Sequence, residues 1–68
     1  MKSKFSQNLY LFRKQMNLTQ RELAESVGVS QKTIDFWEKD INEPKATSLI
    51  NLAKFFGVTV GYLLGVED

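Results

Sequence analysis

Cysteine and histidine are both absent from this 68-residue sequence. Without cysteine no disulfide can brace the fold and no thiolate zinc site can form. Without histidine the commonest metal ligand and the usual general base near neutral pH are missing, as is any Ser-His or Cys-His nucleophile pair. Enzyme chemistry is a poor fit from the start, and neither a metal, a cofactor nor a small-molecule substrate is expected. Proline occurs once, at Pro44, so little interrupts a helical pattern. Charge of one sign is scarce: nine basic residues face eight acidic ones, a net +1. Glu67 and Asp68 belong to an acidic C-terminal end, residues 66–68. A polyanionic partner must then be held by local placement of charge, not by bulk charge. Long hydrophobic runs are also lacking, so no bilayer span is expected. The opening Lys-Ser-Lys-Phe-Ser-Gln has no apolar core of the kind a signal peptide needs, and a cytoplasmic location is expected.

What is present is ordinary for a folded chain: 43% apolar and 25% charged residues argue against disorder. The length suits a single domain over residues 1–68. Phe5, Leu9, Phe12 and Met16 recur at steps of four, three and four, one face of a helix that starts near Ser3 or Ser6 and ends at Asn17. Tyr10 and Leu11 fall off that stripe. Thr19-Gln20-Arg21-Glu22 is a capping box opening a second helix, with Leu23, Ala24 and Val27 inward and Gly28 as its stop. Ser30 caps a third helix, Gln31 to about Lys39, whose buried pair is Ile34 and Trp37 and whose stripe Ile41 continues. Its opposite face carries Lys32, Phe36 and Lys39, with Gln31 and Asp35 on the flank. A loop through Pro44 leads to a fourth helix, from about Ala46 or Thr47 to Phe56, with Ala46, Leu49, Leu52, Ala53 and Phe56 as core stripe. Gly57 ends it, and Thr59 caps a short fifth helix, Val60 to Leu64, with Leu63 and Leu64 inward. No stretch alternates like a strand. The expected class is all-α, a compact domain of five short helices.

The most specific feature is the join of the second and third helices, about residues 19–39. A capped two-turn helix, a glycine turn and a helix with an apolar inner pair and polar outer face make the helix-turn-helix plan. The run Leu-Thr-Gln-Arg-Glu-Leu-Ala-Glu-Ser-Val-Gly-Val-Ser-Gln-Lys-Thr-Ile-Asp-Phe-Trp-Glu, residues 18–38, resembles that of the phage lambda repressor/Cro-like family. Leu9-Tyr10-Leu11-Phe12-Arg13-Lys14 resembles the family's first helix. Pro44 and the run from Leu49 to Val58 resemble its fourth, and Tyr62-Leu63-Leu64-Gly65 its end. The likeness covers roughly residues 5–65 and implies sequence-specific binding of double-stranded DNA by a transcriptional regulator, a repressor that is dimeric on a palindromic operator. Three departures stand out. Lys39-Asp40 occupies a place where the family often has Asn-Gly, Lys45 one where a capping residue is usual, and Phe36 one that is commonly polar.

The resemblance assigns roles residue by residue. Gln31 and Lys32 match base-reading positions, where glutamine pairs with adenine and lysine donates to guanine; the plain alternative is a solvated helix face. Phe36 is expected to be exposed and to meet a thymine methyl, or else to tuck back on the domain or face another protein. Asp35 either accepts from cytosine N4 or only repels wrong partners. Gln20, at the start of the second helix, and Ser30 are expected at phosphates, as are Lys39, Asn42 and Lys45 around the end of the third helix. Arg13 and Glu38 lie at the edges of their apolar stripes, and their family counterparts form an ion pair joining the first and third helices. Val60, Tyr62 and Val66 are the candidate dimer contact. Two other classes stay open. One is an antitoxin or protein-interaction module on the same fold, with weak or no DNA binding. The other is metal chemistry at Asp35, Glu38 and Asp40, against which stands the far commoner role of carboxylates on a solvated face.

Overall fold

Hydroxyl caps set most of the helix boundaries. The computed structural model describes residues 2–67, with α1 (Lys4–Gln15), α2 (Gln20–Val27), α3 (Gln31–Glu38), α4 (Ala46–Phe56) and α5 (Val60–Leu64). The side chains of Ser3, Thr19, Ser30 and Thr59 accept from the backbone N–H of Ser6, Glu22, Thr33 and Tyr62 respectively. At α2 the box is closed, because Glu22 also accepts from the Thr19 N–H at 2.9 Å. The Thr19 N–H first, and the Thr19 hydroxyl second, hold the Glu22 carboxyl below its ordinary range. Only Lys45, ahead of α4, offers no side-chain cap. No helix is long and apolar enough to cross a membrane among the described residues.

Leu9, Leu23, Ile34, Leu52 and Leu63 are each fully buried, and each comes from a different helix. The core is therefore the single place where all five elements converge, and no helix is peripheral to it. Around it Phe5 meets Trp37 edge-on, with ring centroids 6.2 Å apart. Phe12 packs on Phe56 at 5.4 Å and stacks on Tyr62 at 6.0 Å. The Asn8 amide donates to the Leu63 carbonyl at 3.1 Å, fastening α1 to the end of α5.

Three expectations about the core are corrected. Met16 is 46% exposed, because α1 stops at Gln15 and Asn17 turns the chain left-handed at φ 56°. Ile41 is 58% exposed for the same reason: Asp40, at φ 63°, turns the chain away from the α3 stripe. Ala46 is exposed as the first residue of α4, before that helix reaches the core.

Asp40 occupies a left-handed position that usually favours glycine. Its carboxylate offsets the strain by accepting from the Ser3 N–H at 3.0 Å and lying 3.1 Å from the Ser6 hydroxyl. The Ser3 backbone bond comes first among the causes that hold its carboxyl below the usual aspartate range. Ser6 is itself fully buried, and its hydroxyl donates to the Trp37 carbonyl at 2.6 Å. This knot ties the start of α1 to the end of α3. Ser6→Ala removes the donor while leaving the carbonyl buried, so it is expected to cost about 1–3 kcal/mol. Denaturant unfolding checks this; an unchanged midpoint would show that the Trp37 carbonyl finds another donor.

Candidate nucleic-acid interface

Gly28, Val29 and Ser30 connect α2 to α3. Gly28 takes φ 76°, a turn no β-branched residue makes cheaply, and the Val29 N–H returns to the Ala24 carbonyl at 3.0 Å. Leu23 and Ala24 on α2 and Ile34 and Trp37 on α3 are buried, so the other side of α3 faces out. Gln31, Lys32 and Lys39 are exposed on it. Phe36, expected to be exposed, is only partly so, and the Lys32 Nζ lies 5.3 Å from its ring centroid. Ser30 spends its oxygen on the Thr33 N–H at 3.1 Å and pairs with the Thr33 hydroxyl at 2.8 Å. Gln20, Gln31, Lys32 and Asp35 line an open recess of about 460 Å³ at the head of α2 and α3. Asn42 and Lys45, both exposed, border a second recess with Thr33 and Ser48.

The base of α3 is held from behind. Arg13 donates from Nε to Glu38 Oε2 at 2.6 Å and from Nη2 to Oε1 at 3.0 Å, a bidentate pair with side chains 9% and 6% exposed. The third guanidinium nitrogen, Nη1, donates to the Leu18 carbonyl at 2.9 Å. Glu38 raises the Arg13 pKa further above its ordinary value, chiefly through this hydrogen bond.

Gln20 is turned inward to this cluster. Its Nε2 donates to Glu38 Oε1 at 3.1 Å and to Asp35 Oδ1 at 3.2 Å. Asp35 also pairs through Oδ2 with Lys39 Nζ at 3.0 Å. Lys39 first and Gln20 second hold the Asp35 carboxyl below its usual range. This is the feature that reasoning from the sequence missed. Gln20 lies 15 and 18 residues from its two partners, a tertiary contact with no local signature. Asp35 and Glu38 share the Gln20 amide, but Asp40 faces Ser3, so the three carboxylates do not converge on one point.

The dimer candidates divide. Val60 is partly buried against the core, Tyr62 is 42% exposed with one face on Phe12, and Val66 is 78% exposed. Glu67 folds back beside Gly61 and its carboxylate accepts from the Thr59 hydroxyl. Asp68, the last residue of the acidic end, lies outside the described residues.

The helix-turn-helix family model matches residues 9–63. The chain belongs to this lambda repressor-like helix-turn-helix family. It is 41% identical over 64 residues to the HTH-type transcriptional activator BcrR of Enterococcus faecalis, covering 94% of this chain and 31% of that protein. It is 40% identical over 60 residues to the HTH-type transcriptional regulator MJ0272 of Methanocaldococcus jannaschii, covering 88% of this chain and 91% of that one. Among solved structures, the P22 c2 repressor in complex with a synthetic operator superposes with a TM-score of 0.86 at 30% identity, over 93% of this chain and 96% of that one. The chain spans only 31% to 57% of the length of BcrR and two Bacillus subtilis regulators that it also matches.

Breaking the buried pair from one side strands a charge. Glu38→Ala is expected to cost about 3–5 kcal/mol, whereas replacing Arg13 and Glu38 together by apolar residues of similar volume costs far less. Equilibrium unfolding of the three variants checks this; equal losses for the single and double changes would contradict it.

Proposed function

We propose that this helix-turn-helix chain, residues 1–68 acting as one unit, is a sequence-specific transcriptional regulator that lays α3 in the major groove of double-stranded DNA. The observation that carries this is the outward face of α3: Gln31 and Lys32 stand exposed at its head while the Arg13–Glu38 pair holds its base. An α-helix with its side chains is about 10–12 Å across, and the major groove is about 12 Å wide. Gln31 supplies both a donor and an acceptor for adenine, and Lys32 a donor for guanine. Phe36, below Lys32, offers an apolar edge for a thymine methyl. Ser30, Lys39, Asn42 and Lys45 border this face and take the phosphates. With a net charge of only +1, attraction to DNA is local to these side chains.

One such head reads few base pairs, too few to single out a site in a genome. Two copies on a palindrome, with half-sites about one helical turn apart, double the readout. Tyr62 and Val66 are the exposed apolar residues at the end of the chain that a second copy covers, with Val60 behind them. The P22 c2 protein is named a repressor, and occupying an operator needs no surface beyond this one. Repression in the cytoplasm, without catalysis, is the resulting mode of action. A protein-interaction module would draw on an open Phe36, but that ring is partly covered.

Selection of bound DNA from a random pool tests this reading, followed by titration of the selected site. Affinity is expected to fall linearly with salt on a logarithmic scale. Gln31→Ala is expected to cost about 1–3 kcal/mol and to alter preference at one position per half-site. Tyr62→Glu is expected to lower the cooperativity with which the second copy loads. Loss of affinity by Gln31→Ala that is equal on specific and random DNA contradicts direct reading, and unchanged cooperativity places the dimer contact elsewhere.

A further inference from the structure

Gln20 was expected to sit against phosphate, yet its side chain has nothing left to give one. A phosphate oxygen needs a donor, and both hydrogens of the Gln20 amide point at carboxylate oxygens, Asp35 Oδ1 at 3.2 Å and Glu38 Oε1 at 3.1 Å. The amide cannot be reversed in place, because Oε1 would then face those two oxygens without a proton between them. We propose that Gln20 is a positioning residue for specificity: it fixes the Asp35 carboxylate in the recess at the head of α2 and α3, where that carboxylate selects a base presenting an exocyclic amino group. This rests on the regulatory reading above.

The geometry of Asp35 supports the selection. Oδ1 is held by Gln20 and Oδ2 by Lys39 at 3.0 Å, so both oxygens are fixed in direction. Each oxygen has two acceptor sites, so each keeps one free. The side chain remains 31% exposed. Asp35 lies one helical turn after Gln31, on the same side of α3, and both border the recess with Gln20. In the major groove, cytosine N4 and adenine N6 donate, while guanine O6 and N7 and thymine O4 only accept. An acceptor brought to an ionised carboxylate meets repulsion, and an amino group meets a fixed acceptor. A carboxylate on this face also opposes the phosphate backbone, so it weakens binding wherever no amino group compensates. Asp35 thus discriminates in both directions, and Gln20 determines whether it is aimed to do so.

The test compares the full chain with Asp35→Ala, Gln20→Ala and Gln20→Lys on the selected site and on single-base variants of it, after thermal melting confirms that each is folded. At one position per half-site the wild type is expected to prefer cytosine or adenine. Replacing that base by 2-pyrimidinone or by unsubstituted purine deletes the amino group alone, and is expected to lower wild-type affinity by roughly tenfold. The base that gives the effect tells cytosine from adenine. Asp35→Ala is expected to lose this discrimination and to bind random DNA more tightly. Gln20→Ala is expected to lose most of the same discrimination at the same position, while Gln20→Lys, which still donates to both carboxylates, keeps it. If Gln20→Ala instead weakens all sequences by one factor with preferences unchanged, Gln20 is a phosphate contact and the inference fails. If Asp35→Ala leaves every base preference intact, it fails as well, with the regulatory reading standing. Failure of the wild type to retain any DNA at low salt removes the regulatory reading and this inference together.

Discussion

The bidentate pair of Arg13 and Glu38 is the constraint on which the rest of the structure depends. It joins the last turn of α1 to the last residue of α3, with both carboxylate oxygens and all the guanidinium nitrogens engaged. Burying two charges is costly, and their attraction roughly repays the loss of water, so the net gain in stability is modest. What the pair contributes is direction. A salt bridge with two parallel hydrogen bonds tolerates little rotation, whereas an apolar contact of the same area tolerates sliding. The pose of α3 relative to the body is set at its C-terminal end by this pair and by the Ser6 hydroxyl on the Trp37 carbonyl. Its N-terminal end is set by the short Gly28 turn.

Gln20 extends that constraint to the outer face. The chain of contacts runs from the Leu18 carbonyl through Arg13, Glu38 and Gln20 to Asp35 and Lys39, from the core edge to the outward face of α3. Preorganisation of this kind matters for recognition, because side chains already held in place lose less freedom on binding. The aliphatic core does a different job. One fully buried leucine or isoleucine from each helix makes the small fold cooperative, so no helix can leave without opening the centre. Polar placement and apolar cohesion are thus divided between the two sides of α3.

Local chemistry was legible in the sequence, and tertiary chemistry was not. The boxes and caps at Thr19, Ser30 and Thr59 involve partners three residues away, and a reader of the chain finds them without a fold. The buried stripes at Leu9, Leu23, Ile34, Leu52 and Leu63 follow from helical periodicity. Periodicity failed at Met16 and Ile41 because it has no knowledge of where a left-handed residue turns the chain. In the sequence Ser6 stands only as an alternative start of the first helix, because nothing local shows a hydroxyl facing the carbonyl of Trp37, 31 residues on. Arg13 and Glu38, 25 residues apart, were paired only through the likeness to a known family. The two carboxylates that engage the Gln20 amide lie 15 and 18 residues further along the chain, so nothing local shows them either.

The central claim is that α3 is a preassembled reading head, carried unchanged onto DNA by the contacts behind it. Titrating the isotopically labelled chain with its selected site, while recording backbone amide and arginine Nε–H signals by NMR, tests this most directly. The account predicts shifts centred on the exposed residues Gln31, Lys32 and Lys39, with the Arg13 Nε–H signal slow to exchange and nearly unmoved. Unmoved α3 signals beside shifts on another face, or an Arg13 Nε–H signal displaced or lost on binding, would contradict it.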